Sequence, residues 1–289
     1  MPSRLRPSRR LTGLLYWLWL VTVPAAAEGG LVTLDWTLAE TLVALDAPPR
    51  AVAQVDDYHT WVQAPPLPDT VIDLGLRSQP NLERLASLAP DRILISPMFA
   101  NLAPRLQRIA PVDLLTLYTP GRDNWQEMLE LTRRLGELAN RPEAAERLIA
   151  DTEARLETLR QRLPATPSPL LVVQFMDARH VRVFGGNGLF QAVLERLGVE
   201  NAWQGNTNAW GFSLVPLERL VSIDARLVVV EPFPIGVEEQ LADSGLWQYQ
   251  PSVRDGSWVA LPPVWSFGAL PSAQRFAELI VTALTGGAA

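Results

Sequence analysis

Short runs typical of β-strands alternate with runs typical of helices along most of the chain, and this alternation constrains the fold more than any other sequence feature. Strands are predicted at residues 32–34, 51–55, 92–95, 170–175, 181–184 and 227–231. Helices are predicted at residues 37–45, 82–88, 102–109, 124–138, 188–197 and 272–284. Such alternation implies βα units and mostly parallel sheets, which accept ligands at the carboxyl ends of their strands.

One long amphipathic segment, residues 142–163, separates the two alternating halves. Its apolar residues recur at helical spacing, with Arg and Glu between them; they are Leu148, Ile149, Leu156, Leu159 and Leu163. Pro142 suits the first turn of a helix, and Pro164 ends it. The predicted helix is roughly 33 Å long. We therefore expect an α/β protein with two lobes, residues 28–140 and 165–289, joined by a backbone helix at 141–164. A single large doubly wound sheet is the alternative.

The first 27 residues have the pattern of a cleavable signal peptide. Four Arg precede an apolar run at 11–23, and three Ala, ending at Ala27, follow. The run is short for a membrane span, although Tyr16, Trp17 and Trp19 leave a signal anchor as an alternative. Ser8, Arg9 and Arg10 resemble part of a twin-arginine signal, so the export route stays open.

The charge and the absence of Cys indicate what kind of exported protein this is. Removing residues 1–27 takes away four Arg and no acid, so the formal net charge goes from −6 to −10. That balance argues against binding to nucleic acid or to an anionic membrane. A chain without Cys has no disulfide and no lipid-anchored Cys. We expect a freely diffusing protein of a Gram-negative periplasm.

Six segments resemble, in order, the periplasmic ferric hydroxamate (ferrichrome-type) siderophore-binding proteins. They are WVQAPPLPD at 61–69, VIDLGLR at 71–77, PNLERL at 80–85, VFG at 183–185, NAWQGNTNAWG at 201–211 and VWSFGA at 264–269. The resemblance implies a two-lobed binding protein with a helical backbone, not an enzyme. It implies a monomer that captures a ferric hydroxamate siderophore and delivers it to an inner-membrane ABC permease.

The resemblance also implies a set of ligand-binding residues. In the first lobe, Arg77 matches the family's hydroxamate-binding Arg, Trp61 matches a Trp that lines the site, and Phe99 falls where the family has a Tyr whose hydroxyl touches the ligand. In the second lobe, matching positions are Asn208, Trp210 and the aromatic pair Trp265 and Phe267, whose second member is usually Tyr. The two Phe residues remove two hydroxyl groups from the expected site.

The chemistry of such a ligand agrees with these residue types. Iron in a ferric hydroxamate is fully coordinated, so the protein needs no metal ligand and no cofactor, only aromatic walls and a donor. Arg77 would donate charge-assisted hydrogen bonds to the hydroxamate oxygens. A salt bridge from Arg77 to Asp69 or Asp73 is the structural alternative.

Docking on the permease is expected to use one acidic residue on each lobe. Glu218 matches the acid of the second lobe, whereas Pro104 and Arg105 stand where the first lobe would have its acid. Half of the family's docking scheme is therefore missing or displaced.

Other functions and other ligands have less support in the sequence. No nucleophile elbow, phosphate-binding Walker loop, zinc-protease motif or Cys supports an enzyme. Two scattered His argue against a bare metal ion, and a single Arg argues against a triply charged catecholate. Haem, with His59 or Tyr58 as axial ligand, and cobalamin remain alternatives on the same fold.

Overall fold

A computed structural model describes residues 29–286, and the predicted signal peptide at 1–27 lies outside the described residues. The first half of the described chain alternates strands and helices as predicted. Its elements are β1 Leu31–Thr33, α1 Trp36–Ala44, β2 Ala51–Val52, α2 Val55–Trp61, β3 Ile72–Asp73, β4 Gly75–Leu76, β5 Gln79–Pro80, α3 Leu82–Ser87, β6 Arg92–Ile95, α4 Ala103–Leu106, β7 Val112–Leu114 and α5 Asn124–Leu138.

Five of these strands form a parallel sheet in the order β3-β2-β1-β6-β7. The two remaining strands, β4 and β5, pair antiparallel as a short ribbon. Asp35 follows β1 directly and caps α1, because its carboxylate accepts a hydrogen bond from the backbone N–H of Thr37 at 2.8 Å. The start of α1 is thereby fixed beyond the carboxyl end of β1, the edge where parallel sheets accept ligands.

The long helix between the halves is α6, Pro142–Arg160. It ends three residues before the predicted Leu163, since Leu163 precedes Pro164 and a residue before proline is disfavoured in helical conformation. Its 19 residues span about 28 Å. The buried side chains of Ile149 and Leu156 face the neighbouring helices, and α6 packs against α5.

The second half builds a mixed sheet. Its elements are β8 Leu170–Phe175, β9 His180–Phe184, α7 Leu189–Leu197, β10 Phe212–Pro216, β11 Arg226–Val230, α8 Val237–Ala242, α9 Gly245–Tyr249, α10 Pro251–Arg254, β12 Val259–Leu261 and α11 Leu270–Leu284. The strand order is β10-β9-β8-β11-β12. β8, β11 and β12 are parallel, whereas β9 is antiparallel to both its neighbours because a short turn joins it to β8.

Two separate sheets exclude the alternative of one doubly wound sheet, since no strand pairing joins them among residues 29–286. A helical layer packs between the halves: α11, the last helix, contacts α1, α5, α6 and α7. One buried cluster in this layer contains Leu42 and Trp125 of the first half with Phe190 and Phe276 of the second. The lobe boundaries at 28–140, 141–164 and 165–289 remain a prediction.

Two local predictions need correction. The strand predicted at 51–55 ends at Val52, because Gln54 has a left-handed backbone (φ 55°) and α2 begins at Val55. The helix predicted at 102–109 is instead a 3₁₀ turn, Pro97–Leu102, followed by the single turn of α4. Within residues 29–286, no helix is both long enough and apolar enough to span a membrane.

Candidate ligand-binding cleft

An open cleft of about 580 Å³ lies between the two halves, a volume typical of sites for small ligands. The first half contributes Trp36, Trp61, Arg77 and Met98 to its lining. The second half contributes Phe175, Met176, Arg182, Trp210, Phe212, Pro234, Trp265 and Phe267. Among residues 29–286, the lining is mostly aromatic, and it includes two Arg but no carboxylate.

Arg77 lies over an aromatic face in this cleft. It follows β4, and its backbone N–H donates to the side-chain oxygen of Gln54 at 3.1 Å. Its guanidinium carbon is 4.0 Å from the ring centroid of Trp36 and 5.5 Å from that of Trp265. This geometry is a cation–π contact that holds the planar guanidinium in place.

The structure does not support the salt-bridge alternative for Arg77. The carboxylate of Asp73 instead accepts hydrogen bonds from the backbone N–H groups of Gln54 and Gly75, and Asp69 is exposed. Among the described residues, no carboxylate pairs with Arg77 within 4.0 Å. Burial lowers the pKa of the Arg77 guanidinium, and the negative charges of Asp35 and Asp57 act in the opposite direction. One guanidinium N–H contacts the sulfur of Met98 at 3.7 Å, a weak acceptor, so the donors remain available to a ligand.

Trp36 was not among the predicted site residues, although it forms the floor under Arg77. Its indole N–H donates to the carbonyl of Ala53 at 2.9 Å, which fixes the ring. Its position at the first turn of α1, beyond the carboxyl end of β1, was the available sequence signal.

Trp265 and Phe267 are positioned at the cleft by hydrogen bonds with Thr37 of the first half. The indole N–H of Trp265 donates to the hydroxyl of Thr37 at 3.0 Å, and this hydroxyl donates to the carbonyl of Phe267 at 2.8 Å. The Trp265 ring lies 5.0 Å from Trp36 and 5.2 Å from Phe267, edge to face in both cases. The aromatic pair is therefore continuous with the wall that supports Arg77.

A buried carboxyl group, that of Glu40, completes this connection between the halves. Its side chain accepts a hydrogen bond from the backbone N–H of Ala269 at 2.7 Å and another from the Ser272 hydroxyl, both at the start of α11. The hydroxyl of Tyr118 donates to the carbonyl of Gly268 beside it. Burial raises the pKa of Glu40 to about 8, because the lost hydration outweighs the hydrogen bonds that favour the charged form.

The loop before β10 presents Trp210, and Asn208 shapes that loop. The Asn208 carboxamide oxygen accepts from the backbone N–H groups of Trp210 at 2.9 Å and Phe212 at 3.3 Å. Trp210 lies 6.0 Å from Phe267, and both line the cleft. The structure therefore places Trp210 in the wall and Asn208 outside the lining, where it orients two residues that do line it.

Trp61 and Phe99, the other predicted aromatic residues, differ in exposure. Trp61 ends α2, is half-buried and lines the cleft. Phe99 is buried in the core of the first half, outside the lining, with its ring 5.5 Å from the guanidinium carbon of Arg77. Five of the seven predicted ligand-binding residues thus meet at the cleft, and Phe99 and Asn208 lie behind it.

The remaining predicted residues lie away from the cleft. Glu218 is exposed in the 3₁₀ turn Leu217–Leu220, and Pro104 and Arg105 are exposed on α4. Tyr58 is buried and donates its hydroxyl to the carbonyl of Pro65 at 2.6 Å, while the exposed His59 packs against it. Neither lines the cleft, which disfavours an axial haem ligand. Within residues 29–286, no three metal-ligating side chains cluster.

Comparisons with known proteins agree on one family. A family model described as periplasmic binding protein matches residues 31–264. The iron(3+)-hydroxamate-binding protein FhuD of Escherichia coli is 34% identical over 287 residues, covering 99% of this chain and 97% of the relative. The Fe3+-Desferal-bound siderophore-binding protein FhuD from Vibrio cholerae has a TM-score of 0.84 at 28% identity, over 89% of this chain and 98% of that one.

More distant matches share the fold alone. The triscatecholate siderophore-binding protein FeuA from Bacillus subtilis superposes with a TM-score of 0.71 at 18% identity, over 94% of this chain and 98% of that one. One fold thus accommodates ferric complexes of different chemistry, and the ligand has to be inferred from the residues of the cleft.

Proposed function

The chain belongs to the periplasmic binding protein family, and from this premise we propose that it is the substrate-binding component of an ABC importer that captures ferric hydroxamate siderophores. The observation that carries the proposal is the aromatic cleft with the guanidinium of Arg77 stacked over Trp36. A near full-length relative that binds iron(3+)-hydroxamates, at 34% identity, supports the ligand class.

The lining of the cleft suits the chemistry of this ligand. Iron inside a tris-hydroxamate complex has all its ligands, so the protein recognises the outside of a compact, carbon-rich particle. Rigid aromatic faces bury such a surface at little cost in side-chain entropy. The guanidinium fork supplies directional donors to the electron-rich hydroxamate oxygens. We assign no catalytic residue and no resident cofactor.

Delivery would follow from export and docking. The predicted signal peptide would send the mature chain to the periplasm, where it would act as a monomer. Glu218 is exposed on the second half and available to a basic residue of the permease. On the first half, the equivalent surface at Pro104 and Arg105 lacks an acid, so we propose that the contact there is made differently.

A titration of purified mature protein against ferrichrome, ferrioxamine B, cobalamin and haem tests this proposal. Tryptophan fluorescence reports binding because Trp36, Trp210 and Trp265 lie in the lining. We expect saturable quenching by the two ferric hydroxamates at micromolar or lower concentration, and none of that affinity for haem or cobalamin. Tighter binding of cobalamin or haem than of either ferric hydroxamate would reject the ligand class while leaving the family intact.

A further inference from the structure

The second half contributes another arginine to the lining of the cleft, Arg182, in the middle of β9. Its neighbours Val181 and Val183 are fully buried, and strand alternation turns Arg182 to the other face. Its guanidinium carbon lies 5.0 Å from the ring centroid of Phe212 and 6.0 Å from that of Phe267. The side chain is half-buried and lines the cleft.

Arg182 has no counter-charge in the described part of the chain. No carboxylate there lies within 4.0 Å of its guanidinium, and no hydrogen bond from that group is found among residues 29–286. Burial lowers its pKa, and no neighbouring acid opposes this, in contrast to Arg77, near which Asp35 and Asp57 lie. Two guanidinium groups thus line one cavity to which the described residues contribute no acid.

Such an arrangement costs free energy in the empty protein. A half-buried cation loses hydration, and the ring faces of Phe212 and Phe267 replace that hydration only in part because they supply no counter-charge. Leu or Met would pack on Phe212 without the loss of hydration that a guanidinium incurs, so packing alone does not explain an arginine at this position. The cost is offset when the cleft takes up a negative charge, because charge-assisted hydrogen bonds are stronger than bonds between neutral groups.

We propose that Arg182 makes the cleft selective for ferric hydroxamate complexes that carry a net negative charge at the iron core. This inference rests on the proposed function and narrows its substrate class. Three hydroxamates neutralise Fe³⁺, whereas two hydroxamates and a deprotonated α-hydroxycarboxylate leave one net negative charge. The favoured class is therefore a mixed hydroxamate and α-hydroxycarboxylate siderophore, held between Arg77 on one half and Arg182 on the other.

The test compares two ferric complexes on four proteins by tryptophan fluorescence. The probes are ferrichrome, with a neutral tris-hydroxamate core, and ferric schizokinen, with a citrate-based bis-hydroxamate core. The proteins are the unmodified chain, Arg182→Leu, Arg182→Lys and the control Arg254→Leu, which removes the same charge from an exposed position outside the cleft. Circular dichroism and thermal melts establish that each variant folds.

We expect Arg182→Leu to weaken binding of ferric schizokinen by about 10- to 100-fold and of ferrichrome by a much smaller factor, about 3-fold. Arg182→Lys keeps the charge without the fork and should fall between, while Arg254→Leu should bind both complexes as the unmodified chain does. Equal losses for both complexes, or a preference of the unmodified protein for ferrichrome, would overturn the inference. If neither complex binds the unmodified protein, the proposed function itself fails. If Arg182→Leu does not fold, Arg182→Lys is used in its place. A larger loss of affinity for ferric schizokinen than for ferrichrome then supports the inference, and equal losses contradict it.

Discussion

Replacing Glu40 by Gln tests whether the connection between the two halves holds a neutral acid. Glu40 is fully buried, and its carboxyl group contacts the start of α11 through Ala269 and Ser272. Gln keeps the size and the acceptor for the Ala269 N–H, and its amide can donate to the Ser272 hydroxyl, which can rotate. The substitution therefore removes the titrating group with little change in packing.

The sign of the effect follows from the raised pKa. The native state binds the proton of Glu40 up to about pH 8, whereas an unperturbed Glu loses it near pH 4.5. Below pH 4.5 both states are protonated, so the stabilisation from this proton is fully present. As pH rises from 4.5 to 8, the unfolded chain releases the proton first, and the free energy of unfolding falls by up to about 1.4 kcal/mol per pH unit. Between pH 5 and pH 8 the loss is on the order of 4 kcal/mol.

Urea unfolding at pH 5, 6, 7 and 8, followed by tryptophan fluorescence, measures this slope. We expect the unmodified chain and Glu40→Gln to differ little at pH 5 and the variant to be more stable by several kcal/mol at pH 8. Glu83→Gln, at an exposed position of α3, is the matched control and should parallel the unmodified chain. If the stability of Glu40→Gln also runs parallel to that of the unmodified chain at every pH, the carboxyl group ionises normally in the folded protein, and burial does not raise its pKa.

Three further outcomes follow from the cleft, the long helix and the first residues. Arg77→Ala should weaken ferrichrome binding by about 1.5 to 3 kcal/mol with little change in melting temperature. The control Arg84→Ala, at an exposed position of α3, should bind normally. An Arg77→Ala protein that is destabilised but binds with normal affinity would contradict the role of Arg77. By small-angle scattering, the radius of gyration, roughly 18 to 19 Å, should differ by less than about 1 Å between free and ferrichrome-saturated protein. The reason is that α6 contains no Gly and no Pro beyond its first residue, so it has no site at which to bend. A larger contraction would mean that another segment is the hinge. Mass spectrometry of the periplasmic fraction should detect a chain that begins at or near Glu28, and membrane-bound protein that retains residues 1–27 would indicate a signal anchor instead.

The predicted site residues separate into those that face the cleft and those that support it. Trp61, Arg77, Trp210, Trp265 and Phe267 line the cleft. Similarity to a family identifies positions, but it does not give the direction of each side chain in this particular chain. The carboxamide of Asn208 forms backbone hydrogen bonds in its own loop, and the ring of Phe99 packs in the core of the first half.

The position of Arg182 has a signal in the sequence, although Arg182 is not among the predicted site residues. An Arg between two Val in a strand pattern indicates a charged side chain on the face opposite the core. The sequence does not say what that face meets. Only the position of β9 beside β10 and the approach of Phe267 from a distant segment turn it into a wall of the cleft.

The sequence by itself determined the alternation of strands and helices, the single uninterrupted helix between the halves and the family. The helices and strands follow from residues that are close along the chain, through backbone hydrogen bonds, the spacing of apolar side chains and the Pro residues at the ends of the helix. The family follows from short segments whose residues can be matched one by one. The tertiary structure alone decided that the halves form separate five-stranded sheets and that Trp36 lies under Arg77. It also decided that Glu40 accepts a hydrogen bond from a backbone N–H 229 positions away. Such contacts depend on how two distant surfaces pack and exclude water, and no local pattern of residues specifies which side chains will meet there.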